Sequence, residues 1–245
     1  MFWKKICLVF AAVPMVIKTA GRNLRHKKFE PEIALLEKML KPGDVCLDIG
    51  GAYGRYAYPL SRCVGPAGKV ICVEPGAFSF FVVSAIRWLF GMRNVVLAHC
   101  ALGQSEREMV LVSPRKPNGR IGYSLSYLSD TPAPAAVCET VPVKTIDGLC
   151  AEHGIRRLDF IKCDTEGAEY SIFQGGMGTL SAFHPLVLCE IDPGHLQKFS
   201  ASPQQLFGLF KGLGYQAMKA AGDRLNRVED FSGDGNYFFI PGTFL

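Results

Sequence analysis

The chain has 245 residues, 49% hydrophobic and 20% charged, with 27 Lys+Arg against 22 Asp+Glu for a formal net charge of +5, and its mean hydropathy is +0.16. Apolar content this high with so little net charge excludes a disordered chain, and 26 glycines without a repeat exclude a collagen-like one. A chain of roughly 250 residues can close around a single core, so one large α/β domain is expected.

The charge is unevenly distributed. Residues 1–29 hold seven bases (Lys4, Lys5, Lys18, Arg22, Arg25, Lys27, Lys28) and no acid, which leaves the remainder at −2. No basic stripe follows a phosphate backbone, so no nucleic-acid partner is expected, whereas a basic arm beside a membrane surface or a partner stays open. Residues 6–17 are a 12-residue apolar run broken by Pro14, too short for the ~20 residues of a spanning helix. The run reads as an interfacial anchor, a packed helix or a signal segment, and no small-residue cleavage site follows it. The expected organisation is a tail over 1–29 and a domain over 30–245. Residues 1–28 would add peripheral membrane affinity rather than stability.

Nine cysteines form no CxxC pair and no zinc-ligand cluster, and several (Cys46, Cys72, Cys189) sit inside apolar runs. They read as small buried hydrophobes in a reducing, cytoplasmic setting.

Residues 31–40 repeat apolar side chains at helical spacing and stop at Lys41-Pro42-Gly43, which predicts a short amphipathic helix. Nearly all-apolar runs follow at 45–49, 70–73, 95–98, 160–163 and 186–191, as suits strands buried on both faces of a parallel sheet. Helix-length segments separate or follow them at 54–63, 77–90, 145–153, 167–173 and 203–211. The last opens with a capping Ser202, Pro203 and Gln205. Two β-type runs, 215–219 and 237–240, joined by a polar loop, predict an antiparallel last strand. The alternation predicts a doubly wound, Rossmann-like α/β sheet. Residues 104–144 depart from it, with β-type runs at 109–112 and 140–144 around a polar segment carrying Tyr123 and Tyr127. Such a stretch is expected as an insertion near the substrate mouth.

The first strand runs into Asp48-Ile49-Gly50-Gly51-Ala52-Tyr53-Gly54, where glycines let a ligand approach the backbone and the next helix offers free N–H groups. The second ends in Glu74-Pro75, 26 residues after Asp48, where an acid can accept both hydroxyls of a ribose. The DxGxxxG spacing is not the GxGxxG of a dinucleotide site, and Asp48 would repel a pyrophosphate. A cationic or zwitterionic nucleotide such as S-adenosylmethionine suits it better. A nicotinamide-dependent oxidoreductase and a non-catalytic module anchored by its tail are the alternatives.

Lys162, Asp164, Glu166 and Glu169 surround the end of the fourth parallel strand, and Glu190 stands near the end of the next. The acids read either as a helix cap and first-turn charges or as groups facing the ligand crevice. Glu169 fits the first reading best, and Asp164 with Glu166 the second. His153, His184 and His195 are isolated and read as core or surface residues, although His195 follows the fifth strand.

These motifs, with LDIGGAYGRYAYPLS (47–61), GPAGKVICVEPGAFSF (65–80), NVVLAHCALG (94–103), LDFIKCDTEGAEYSIFQGG (158–176), PLVLCEI (185–191) and NYFFIP (236–241), resemble the FkbM-type methyltransferases over residues 43–240. The resemblance implies a seven-stranded sheet with a reversed last strand. It also implies S-adenosylmethionine as methyl donor and a small-molecule acceptor with a hydroxyl, often a sugar or polyketide. Carried over, Asp48, Gly50, Gly51 and Gly54 line the methionine end, Glu74 with Pro75 holds the ribose, and Cys100, Ala101 and Leu102 approach the adenine. Ala52 departs from the family, which has Asn there, and loses a side-chain hydrogen bond. Asp164 is the favoured base ahead of Glu166, with Glu190 joining them and Lys162 balancing their charge. A divalent metal held by these carboxylates is the alternative route to the same deprotonation.

Overall fold

An apolar run without alternation has two faces to bury, and a sheet covered on both sides is how these runs bury them. The computed structural model describes residues 2–25 and 31–242, without the side chains of 2–11. The expected charges of Lys4, Lys5, Lys27 and Lys28 and the expected boundary at residue 29 lie outside the described residues. In chain order come α1 (Phe2–Asn23), α2 (Ile33–Met39), β1 (Val45–Ile49), α3 (Ala57–Val64), β2 (Lys69–Val73), α4 (Ala77–Leu89), β3 (Val95–Ala98) and β4 (Ala101–Leu102). Next are β5 (Arg107–Ser113), β6 (Tyr127–Ser129), β7 (Val137–Lys144), α5 (Ile146–Glu152), β8 (Phe160–Cys163), α6 (Glu169–Gln174) and α7 (Met177–Phe183). Then β9 (Leu186–Ile191), α8 (Pro193–Gln197), α9 (Pro203–Gly212), β10 (Tyr215–Ala221), β11 (Arg224–Arg227) and β12 (Gly235–Pro241) follow.

The main sheet has eight strands in the order β11-β10-β12-β9-β8-β1-β2-β3. From β9 to β3 all neighbours are parallel, and β12 runs antiparallel to both β9 and β10. The expected count of seven is corrected by β11, which pairs antiparallel with β10 across a two-residue Gly222-Asp223 turn. Its residues, Arg-Leu-Asn-Arg, are mostly exposed, so it joins through backbone hydrogen bonds and leaves no apolar run to read.

Helices bury both faces. One face packs Phe173, Phe210, Leu149 and Leu206 against the sheet, with Phe210 stacked on Phe239 at 4.0 Å. The other packs α1 to α4 through residues such as Ala12, Leu36, Leu60, Val83 and Ile86. Each fully buried Phe, Leu or Ile contributes ~1.5–3 kcal/mol. Six cysteines, Cys46, Cys72, Cys100, Cys150, Cys163 and Cys189, are buried free thiols.

Residues 2–23 differ from an appended tail. Ala12, Thr19 and Asn23 are buried, and α1 packs along α4, so the helix shares the core. Among the described residues no helix is long and apolar enough to cross a membrane.

The irregular stretch 104–144 folds with β4 into a second sheet, ordered β4-β7-β5-β6, around Ala101, Met109, Leu111, Val141 and Val143. Its strands β5 and β7 are longer than their apolar runs because each is exposed over part of its length. A search for continuous hydrophobicity finds only the covered portion.

Candidate functional site

The turn after β1 is built by close approach. Gly50 and Gly51 both donate their N–H groups to Val73 O, at 3.1 and 3.0 Å, tying the end of β1 to that of β2. Gly50 has φ +77, and a Cβ there would lie 1.9 Å from Asp164 O, so a side chain would collide with the loop after β8. A Cβ on Gly51 would lie 2.2 Å from Cys72 Sγ. Ala52 follows at φ +43, a left-handed angle that Asn tolerates better than Ala. The turn therefore asks for backbone shape at the position where the family has Asn, beyond any side-chain hydrogen bond.

Beside the turn lies a cleft of about 650 Å³, counted to its open mouth. Its floor is Ile49, Gly50 and Val73, and one wall carries Glu74, Pro75, Ala101 and Leu102. The second sheet covers it with Leu111, Tyr127 and Leu128. The 3₁₀ turn Tyr123–Leu125 adds Tyr123 and Ser124, and Tyr123 is held by stacking on Phe78 at 4.1 Å. Asp164, Thr165, Glu166 and Arg55 close the far end.

Glu74 is 7% exposed, and its Oε1 accepts the Gly76 N–H at 2.8 Å. Burial pushes its carboxyl up to about 8, against hydrogen bonds from the Gly76 and Ala52 backbone. Asp48 is buried under the turn; its Oδ2 makes no hydrogen bond apart from the weak thiol donor of Cys72 alongside, and burial pushes its carboxyl up to about 7 against the pull of Lys162.

At the end of β8 the charges are mixed. Asp164 Oδ2 is 3.6 Å from Arg55 Nη2 and 3.9 Å from Lys162 Nζ. Burial alone would raise the Asp164 pKa, but Lys162, the hydrogen bond with Glu190, Arg55 and His195 together hold it below the usual range. Glu190 takes the opposite shift, up to about 7, from burial and the adjacent Asp164 charge. Lys162 is 2% exposed, donates to Asn236 Oδ1 at 3.2 Å and lies 5.1 Å over the Tyr56 ring. Glu166 occupies φ +59, and its Oε2 lies 3.0 Å from His195 Nδ1. Burial raises the Glu166 pKa, with His195 opposing. Glu169 turns away and accepts from Thr165 N, Thr165 Oγ1 and Gly167 N at 2.9, 2.8 and 3.3 Å, bracing the loop.

Of the residues singled out from the sequence, Gly50, Ala52, Glu74, Pro75, Ala101, Leu102, Tyr123, Tyr127, Asp164 and Glu166 line one cleft. The remaining site candidates do not reach its wall. Asp48 lies beneath the turn, and Gly51 within it faces Cys72 Sγ. Gly54 faces Val83 of α4 and accepts the Asn23 Nδ2–H at 3.4 Å. The Cys100 side chain packs in the core. Lys162 is sealed below, and Glu190 opens on a side hollow shared with Asp164, Glu166 and His195. Sequence reading missed Arg55 and underrated His195. The one local signal for Arg55 was a base directly behind the glycine turn; the Glu166–His195 pairing had none. Among the described residues no three His, Cys, Asp or Glu side chains converge to hold a metal ion.

A family profile described as Methyltransferase FkbM domain matches residues 48–217. No curated protein matches the chain. Among solved structures, the methyltransferase FkbM from Methylobacillus flagellatus KT is similar at 16% identity and TM-score 0.52. That match covers 80% of this chain and 43% of the other, so the chain spans less than half of that protein. A candidate O-methyltransferase from Klebsiella pneumoniae is similar at 13% identity and TM-score 0.50, covering 94% and 90% of the two chains. A candidate methyltransferase from Streptococcus mutans in complex with SAH is similar at 8% identity and TM-score 0.50, covering 86% and 96%. Identities this low establish the fold.

Proposed function

The chain belongs to the FkbM methyltransferase family, and from that premise we propose that it transfers a methyl group from S-adenosylmethionine to a hydroxyl oxygen of a small molecule. The observation that carries this reading is that Glu74, Asp164 and Glu166 open on the same cleft. A nucleotide donor and an acceptor hydroxyl would then meet within one water-poor space.

The donor set fits the cofactor. Gly50 lines the cleft floor with backbone alone, and Glu74 presents a buried carboxyl to two ribose hydroxyls. Pro75, Ala101, Leu102 and Leu111 offer apolar walls to a flat base. Arg55 beside Asp164 and Glu166 presents both signs of charge, as the zwitterionic amino-acid end requires. When bound, the cofactor supplies an electrophilic methyl group on a cationic sulfur.

The chain's own residues would orient and deprotonate the acceptor. Asp164 stays ionised beside Arg55 and Lys162, which makes it a weak base and a good hydrogen-bond acceptor for orienting a hydroxyl. Glu166, with its raised pKa, is better suited to take the proton. His195 behind it has 35% of its side chain exposed and would pass the proton to solvent. Glu190 would share a proton with Asp164, and Lys162 would fix the Asp164 charge. Positioning by this cleft supplies most of the acceleration and the base adds its typical ~10²- to 10⁴-fold. Incubating the chain with S-adenosylmethionine and a panel of hydroxylated sugars and polyketides should give a mass gain of one methyl group on an acceptor. Methylation of nitrogen acceptors alone would contradict the oxygen assignment.

A further inference from the structure

We propose that the face made by α1 and the end of α4 docks on an anionic lipid bilayer. This inference is independent of the methyltransferase reading. Seven large apolar side chains stand exposed among the described residues, and four of them lie on this helix pair, with Leu24 directly after α1. Val13, Ile17 and Leu24 are 47%, 68% and 68% exposed, and Trp88 and Leu89 are 82% and 53% exposed. Positions 13, 17 and 24 are four and seven apart, so they share one face of α1. The Leu24 N–H still bonds to Ala20 O, which extends that face past the helix end.

The sequence segments that carry these side chains hold charge of one sign. Residues 1–29 and 75–105 together contain nine bases and no acid, with Arg87 and Arg93 joining the seven at the N-terminus. Lys18, Arg25 and Arg93 are exposed. Exposed apolar side chains accompanied by exposed bases on or beside the same two helices fit lipid headgroups over an acyl boundary. A second copy of the chain would bring the same bases face to face, and a nucleic acid would leave Trp88 and Ile17 without an apolar partner. With no helix among the described residues able to span, α1 would lie in the interface. Because Asn23 at its end hydrogen-bonds the glycine turn, docking would hold the cleft at a fixed orientation to the membrane.

Both tryptophans of the chain, Trp3 and Trp88, belong to these two helices, so intrinsic fluorescence reads the proposed contact. The full chain should co-sediment with phosphatidylcholine vesicles containing about 30% phosphatidylserine, with a blue-shifted emission, and should be released by high salt. Pure phosphatidylcholine vesicles should retain far less. Ile17→Asp with Trp88→Asp, two exposed positions, should weaken partitioning at least about tenfold without changing the thermal melt, and Lys18→Glu with Arg25→Glu should act likewise. Failure of the full chain to bind the anionic vesicles at low salt would overturn the proposal. So would equal binding by the folded variants, or a lipid-free dimer that Trp88→Asp converts to monomer.

Discussion

Ala52 stands at a backbone angle, φ +43, that costs an alanine more than a glycine or an asparagine. Ala52→Gly should therefore raise stability by about 0.5–1 kcal/mol, read as a higher urea midpoint at unchanged slope. Glu74 gives a pH signature with a definite sign. Its folded pKa is raised to about 8 from an ordinary 4.5, so the fold retains a proton that the unfolded chain releases. The contribution is fully present below pH ~4.5 and is lost as the pH rises to ~8. Glu74→Gln should flatten this fall, so the difference in Tm between wild type and variant should widen in the variant's favour from pH 5 to pH 8. A constant difference would contradict the buried, protonated carboxyl. Glu74, Gly50 and Asp164 were legible in the sequence because strand ends and turns fix them locally. The Glu166–His195 pair was not, since it depends on how the chain after β9 returns over the loop after β8.

The packing of turn against strand gives a test at the scale of elements. A methyl on Gly51 would meet Cys72 Sγ at 2.2 Å, so Gly51→Ala should cost about 1–3 kcal/mol by overpacking β1 against β2. Cys72→Ala, which removes the sulfur, should recover much of that loss in the double variant, and a double-mutant cycle in urea measures the recovery. Additive losses would mean that the clash is relieved elsewhere. The five parallel strands were legible as elements because each is apolar without alternation. Strand β11 and the outer parts of β5 and β7 were not, because exposed strands carry the sequence of loops and are recognised by their partners. The insertion was legible as an irregularity, while its closure into a second sheet over the cleft is a tertiary event.

For the molecule as a whole, α1 is an integral layer, and its removal tests that. A chain beginning at residue 24 should lose at least about 2 kcal/mol of stability, since the buried contacts of Ala12, Val16, Thr19 and Ala20 with α4 and its surroundings go with it. An unchanged urea midpoint would show α1 to be an appendage. The central claim, that the cleft between Glu74 and Asp164 holds S-adenosylmethionine for methyl transfer, is tested most directly by calorimetric titration of that molecule into wild type and Glu74→Ala. Two ribose hydroxyls bonded to the Glu74 carboxyl are each worth roughly 0.5–1.5 kcal/mol net. Wild type should bind, and Glu74→Ala should bind at least about tenfold more weakly. Absence of binding to the folded wild type, or equal affinity in the variant, would contradict the account.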